Sequence, residues 1–293
     1  MEVEEVDSVS GRNTTGHVWN GIKELDTPIP RGVLLFLIAT HIFALVWWVL
    51  LPTWPIGKTY TKGLLGVDQK TVVEEALREG VETRASWVRK IESLPYDQIQ
   101  ADPRLMAIVR STGNQLFGDN CAACHGRDGK GGANYPNLAD DDWIWGGGPE
   151  NIHQTITVGV NSRHAETRVG MMPAFGKDEM LDRQQVRDVA AFVISLSASA
   201  TSTAENADQV DKGREVFAIT CAACHGDNAK GNPEMGAPNL TDSHWIYGGG
   251  LQTIIDTIHG GRQGHMPTWD ERFSPSEIKI LALYVDALSQ QEL

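Results

Sequence analysis

Cys121-Ala122-Ala123-Cys124-His125-Gly126 and Cys221-Ala222-Ala223-Cys224-His225-Gly226 are two copies of one string, and their reading decides the fold. Cys-x-x-Cys-His is the attachment signature of c-type haem. Two thiols one short turn apart can each add to a vinyl group on the same porphyrin edge. A histidine directly after the second thiol then lies under the iron. The chain therefore reads as carrying two covalent haem c groups, attached through Cys121, Cys124, Cys221 and Cys224, with His125 and His225 as proximal iron ligands. All four cysteines lie in these motifs, so none is left for a structural disulfide. A redox dithiol does not require the trailing histidine, and a zinc site needs two further ligands at matched spacing. Covalent haem attachment normally takes place outside the cytoplasm, which gives the motifs an expected side of the membrane.

Working outward, each string belongs to one unit of an internal repeat. Gly113 to Ser197 aligns with Gly213 to Ser289. Leu116-Phe117 matches Val216-Phe217, and Pro136-Asn137-Leu138 matches Pro238-Asn239-Leu240. Trp143-Ile144-Trp145 and its three glycines match Trp245-Ile246-Tyr247 and theirs. Gly170-Met171-Met172-Pro173 matches Gly264-His265-Met266-Pro267, and Val186 to Leu196 matches Ile278 to Leu288 as a closing amphipathic helix. Each unit reads helix, haem motif, glycine-rich loop, short helix, Met-Pro, closing helix. The order resembles the class I cytochrome c fold, which is nearly all α with haem as much of its core. That accounts for stability in so short a unit. The expected domains are 111–198 and 211–293, joined by a small, polar linker at 199–210.

The sixth ligands are expected at Met172 and Met266, each followed by proline, where class I cytochromes supply a thioether. Proline fixes the backbone and removes an N–H. Met171 and His265 are the immediate competitors, and a second imidazole would give a lower potential than a thioether. Register favours Met172 and Met266, because Met-Pro aligns in both repeats while the preceding residue varies. By default each repeat's methionine serves its own haem. An exchange of the Met-bearing loops would leave the ligand set unchanged. Trp143, Trp245, Asn137 and Asn239 are candidates for the haem edge or a propionate, with core packing the equal reading for the two tryptophans. Arg163, Arg168 and Arg262 are candidate propionate partners by charge, a surface role being the simpler reading. His153, His164, His244 and His259 have no spacing that suggests ligation.

At 293 residues the chain has room for about two ordinary domains plus extras. A formal charge of −13 argues against a nucleic-acid partner, whose phosphates it would repel, and fits either steering of a basic redox partner or a plain solvated acidic surface. From Gly32 to Leu51 there is no charged residue, and twenty residues in a helix span about 30 Å, a hydrocarbon core's thickness. Trp47, Trp48 and Trp54 crowd its far end as an aromatic belt would. The preceding arm is acidic, the run is too long for a signal peptide, and no small-residue cleavage site follows, so 32–52 is expected as a transmembrane helix. The basic residues on either side are too balanced to orient it; the haem motifs do, placing the 1–31 arm in the cytoplasm and the haem domains in the periplasm. His41, alone in the span, reads as facing a neighbouring helix or snorkelling through a hydrogen bond rather than as a relay. Residues 53–110 form a helical connector, with a charged helical pattern from Thr71 to Ile91, ended by Pro95, read as a spacer.

The arm carries a further string, Val18-Trp19-Asn20-Gly21-Ile22-Lys23-Glu24-Leu25-Asp26, followed by Pro28 and Pro30. With the two haem motifs, the two Met-Pro pairs and the single span, it resembles subunit III of the cbb3-type cytochrome c oxidases over nearly the whole length. Asn20 stands where that family commonly has Asp. The resemblance implies a membrane-anchored dihaem cytochrome c in a bacterial inner membrane. It would take electrons from a cytochrome c donor and relay them to a monohaem cytochrome c subunit and a catalytic haem–copper subunit, where oxygen is reduced. It also implies crossed methionines, each on the other repeat's haem. The alternative is a free-standing anchored dihaem carrier, which would not need the arm. A dihaem peroxidase would need an iron able to lose its sixth ligand, against the matched Met-Pro pairs.

Overall fold

The computed structural model describes residues 5–196 and 207–290, so most of the expected linker lies outside the described residues. Apart from two small hairpins it is helical, in two compact units that divide between Thr83 and Arg84.

In the first unit, β1 (Thr14–Trp19) and β2 (Ile22–Leu25) pair antiparallel, with Trp19 opposite Ile22. The two turn residues, Asn20 and Gly21, have φ +49° and +86°, the pair of positive angles a type I′ hairpin demands. Asn and Asp both enter that conformation more readily than other side chains, so the departure at Asn20 keeps the turn. Helix α1 (Arg31–Leu50) buries none of its residues against the chain and is long and apolar enough to cross a membrane. His41 Nδ1 bonds the Leu37 carbonyl of its own helix at 2.7 Å. A second hairpin, β3 (Pro55–Ile56) with β4 (Thr59–Tyr60), leads to α2 (Gln69–Ser93).

The second unit takes in the end of α2, where Ile91 is fully buried. The helix expected as a spacer therefore ends as core, because its last apolar residues meet a closing helix from far along the chain. It is followed by α3 (Tyr96–Gln100), α4 (Pro103–Asn120), α5 (Ala122–His125), α6 (Pro149–Val158) and α7 (Arg183–Ser195). The second repeat supplies α8 (Ala207–Thr220), α9 (Ala222–His225), α10 (Leu251–Gly260) and α11 (Pro275–Ser289). Their starts are written in the sequence. Asp102 caps α4 ahead of Pro103, and the closing helices α7 and α11 begin at capping boxes, Asp182 with Gln185 and Ser274 with Glu277.

The repeats do not close on themselves. Helix α11 of the second packs on α4 and α6 of the first, while α7 of the first packs on α8 and α10 of the second. Two cores result. One gathers Phe117, Ile152 and Ile156 with Ile280, Leu281 and Leu283; the other gathers Val189, Phe192 and Val193 with Phe217, Ile254 and Ile258. Each exchanged pair crosses at a glycine. A Cβ on Gly113 would lie 2.6 Å from Tyr284 Cβ, and one on Gly213 would strike the Asp188 carbonyl and stand 2.8 Å from Phe192 Cβ. The long connections from Gly159 to Asp182 and from Gly261 to Ser274 make the exchange possible, and cross-repeat bonds pin them. Trp269 N–H donates to the Ile156 carbonyl at 3.2 Å and Lys177 N–H to that of His259 at 3.0 Å.

Two expected outcomes follow from this packing. Leu283 is fully buried in α11, and Leu283→Ala is expected to cost ~2–5 kcal/mol, read as a lowered denaturation midpoint of the core built on the first repeat's α4. His153, on α6, is hydrogen-bonded to Tyr96 at 2.7 Å. Burial first, then the Lys279 ammonium, holds its pKa below the ordinary 6.5. The unfolded chain then takes up this proton before the folded one does. His153's neutral form is thus fully tolerated above 6.5, and stability is lost as pH falls through 6.5 towards the lower folded value. Denaturation midpoints measured against pH are expected to fall more shallowly over that window in His153→Gln.

Candidate haem-binding site

The haem motifs occupy one-turn helices that restart directly from the helices before them. Cys121 ends α4, its N–H bonded to the Phe117 carbonyl at 2.8 Å, and its own carbonyl accepts from Cys124 and His125 at 3.1 and 3.0 Å. Cys221, Cys224 and His225 repeat the arrangement after Phe217, at 2.8, 3.1 and 3.0 Å. Both cysteines of a pair thus ride on one turn with the histidine beside them, as attachment along one porphyrin edge requires.

Each imidazole is fixed by the loop that follows it. His125 Nδ1 lies 3.2 Å from the Pro136 carbonyl and His225 Nδ1 3.0 Å from that of Pro238. A carbonyl accepts only, so Nδ1 carries the proton and Nε2 keeps its lone pair for a metal. Burial pushes both histidines below their ordinary value and so favours the neutral, ligating form. The loops reach back this far through Gly131 and Gly231. Their φ values are +72° and +82°, and an added Cβ on either would collide with the carbonyl of the residue before the Pro-Asn-Leu string.

The four thiols are free. Burial raises Cys121 and Cys221 to about 11 each, so neither is a thiolate at neutral pH.

A single cavity of about 1450 Å³ is lined by all eight residues expected from the sequence: Cys121, Cys124, His125, Met172, Cys221, Cys224, His225 and Met266. An ordinary ligand pocket holds ~300–1,000 Å³, so this volume exceeds one such pocket, and its apolar walls include Phe117, Leu138, Trp143, Phe217, Leu240 and Trp245. Cysteine pairs able to form thioethers and neutral imidazoles, each in duplicate within one largely apolar cavity, fit two c-type haems. Met266 packs on the core that holds Cys121 and Trp143, and Met172 on the core that holds Cys221 and Trp245. Met171, by contrast, is 64% exposed, and His265 is exposed as well.

The supporting candidates divide. Trp143 and Trp245 pack against the middle glycine of the triplet that follows each, where a Cβ on Gly147 or Gly249 would sit 2.6 Å from the indole. Asn137 and Asn239 spend their side-chain oxygens on their own loops, accepting from Ala139 N–H and Thr241 N–H at 2.9 Å each. Of the three arginines only Arg262 lines the cavity, held by Thr257 Oγ1 and stacked 4.5 Å over Tyr247. Arg168 turns to the Asn151 carbonyl and Gln154, and Arg163 is exposed. Among the unassigned histidines, His164 lies 3.4 Å from Asp270. His244 Nδ1 contacts the Asp142 carboxylate, and its Nε2 lies 3.6 Å from Asp140. This last cluster joins the two repeats at the cavity. Its signal was the repeat itself, since Asp142 and His244 hold the same place before the paired tryptophans.

Comparison with known proteins agrees along the whole chain. The N-terminal domain of cytochrome oxidase-cbb3, FixP, matches residues 11–58; cytochrome c matches 111–197; and cytochrome c oxidase, cbb3-type, subunit III matches 208–285. A cbb3-type cytochrome c oxidase subunit FixP from Bradyrhizobium sp. (strain ORS 278) is 46% identical over 284 residues, 97% of each chain. A subunit CcoP from Azospirillum brasilense is 40% identical, covering 98% of this chain and 99% of its own. One from Cereibacter sphaeroides is 38% identical over 95% of each. The hairpin arm, the apolar helix α1 and the two cytochrome c domains, each with its Cys-x-x-Cys-His motif, come together in one way: the chain belongs to the FixP/CcoP family of cbb3-type cytochrome c oxidase subunits.

Proposed function

We propose that this chain is the dihaem electron-entry subunit of a cbb3-type oxidase. In this reading α1 anchors it in a bacterial inner membrane, the arm lies in the cytoplasm and the haem domains lie in the periplasm. A cytochrome c donor delivers electrons, which leave for a monohaem cytochrome c subunit and a catalytic haem–copper subunit. The observation that carries it is the cavity lined by two matched Cys-Cys-His-Met sets. When bound, haem c supplies a one-electron iron couple whose potential a thioether ligand raises. The protein's part is attachment, orientation and exclusion of water. Cys121, Cys124, Cys221 and Cys224 would anchor the haems, and His125 and His225, with tautomers set by Pro136 and Pro238, would ligate the irons. Met172 and Met266 would supply the remaining ligands, crossed between repeats, which their packing on opposite cores supports. Four protein ligands for two irons leave no open position, so oxygen chemistry belongs to another subunit. The chain's charge of −13 favours a basic donor by long-range steering.

Purification of the tagged full chain in mild detergent tests this. Co-elution of a high-spin haem b and copper subunit that consumes oxygen is expected, and recovery of a lone dihaem protein would refute it. In the reduced chain, neither haem c is expected to bind carbon monoxide promptly. Met172→Ala or Met266→Ala is expected to open one haem c to it, seen as a shift of that haem's absorption band.

A further inference from the structure

We propose that Gly159 and Gly261 are positioning residues for the methionine ligands, each acting on the methionine of the other repeat. This rests on the ligand reading above and extends it to the backbone that holds the sulfurs in place.

The two glycines end equivalent helices and share one conformation. Gly159 follows α6 and Gly261 follows α10, both with φ +68°. Each N–H still closes the last helical turn, Gly159 onto Thr155 and Gly261 onto Thr257, at 2.9 Å in both cases. The positive φ then swings the next residue out of the helix into a bridge with the incoming Met-Pro segment. Val160 and Met266 exchange both backbone hydrogen bonds at 2.9 Å. Arg262 and Met172 do the same, at 3.0 Å from Arg262 N–H and 2.8 Å from Met172 N–H. Each methionine is thus gripped at its own amide and its own carbonyl, and the gripping residue belongs to the other repeat.

Close approach makes glycine necessary. A Cβ on Gly159 would collide with the Met266 carbonyl oxygen and stand 2.8 Å from the Pro267 carbonyl carbon. One on Gly261 would stand 2.5 Å from the Met172 carbonyl oxygen and 2.9 Å from Ala174 N. These obstacles are backbone and cannot swing aside as a long side chain would, so the Met-Pro segment itself would have to retreat. The methionine sulfur would retreat with it. The backbone strain of an added methyl is a separate effect, and Gly148 isolates it. It has φ +83° at the start of α6, yet a Cβ there meets nothing nearer than 3.9 Å.

The test is a spectroscopic redox titration of the full-length, haem-loaded chain. Met266→Ala and Met172→Ala are expected each to lower a different one of two midpoint potentials, and so to label them. Gly159→Ala is expected to lower the potential that Met266→Ala lowers and to remove one of the two near-infrared methionine–iron absorptions. Gly261→Ala is expected to follow Met172→Ala, and Gly148→Ala to move neither. Unchanged potentials in Gly159→Ala, an equal fall in both, or a fall in the one labelled by Met172 would overturn the inference. If Gly159→Ala is not recovered, Gly261→Ala decides by the same criteria. Methionine variants that move no potential would instead sink the ligand reading, and the inference with it. Methionine variants that move the potentials while the glycine variants do not would sink the inference alone.

Discussion

The exchange of closing helices is the constraint on which the rest of the second unit depends. A haem-attachment motif at the end of one helix needs an apolar wall opposite it, and the wall for each motif comes from the other repeat. Where the helices cross, Gly113 admits the Tyr284 side chain and Gly213 admits the Asp188–Phe192 turn, so the backbones come close enough to bury Val109, Val189, Leu281 and Leu283 almost completely. Neither core could be assembled from one repeat alone. Hydrophobic burial, the dominant favourable contribution, is here shared between chain segments that are distant in sequence.

Motif spacing pointed to the thiols and proximal histidines and repeat register to Met172 and Met266 ahead of their neighbours, and all of them line one cavity. Capping boxes at Asp182 and Ser274 start the closing helices. Partner choice was not legible, because a repeat makes the two alternatives nearly equivalent. Helix α11 presents the same kind of apolar face to α4 as α7 presents to α8, so periodicity cannot say which pairs with which. The same limit hid the ends of the connector. Ile91 and Ile99 look like a helix's ordinary apolar positions, and only their contact with the last helix makes them core. Asn137 and Asn239 line the cavity and use their side-chain oxygens on their own loops, a division that sequence position alone does not reveal.

The arm shows the opposite balance. Asn20-Gly21 is a short-range signal whose conformation needs no tertiary partner, and the hairpin it forms leaves Trp19 and Ile22 71% and 74% exposed. Residues so apolar and so exposed are the kind that mark a contact with protein or membrane. The family to which the chain belongs is one of subunits, and the surface agrees with that.

The exchange also sets an order of completion during synthesis. The second motif's wall, α7, precedes it in the sequence, so that core can close as soon as α10 and its following turn are made. The first motif emerges much earlier but waits for α11. Its closing contacts join Gln100 to Asp286, Leu94 to Lys279 and Asn114 to Tyr284, over 186, 185 and 170 residues. Loops of that length make closure late and slow. The haem site encoded first is therefore the last to be sealed, and a chain that stops before Pro275 leaves the first motif, not the second, without its wall.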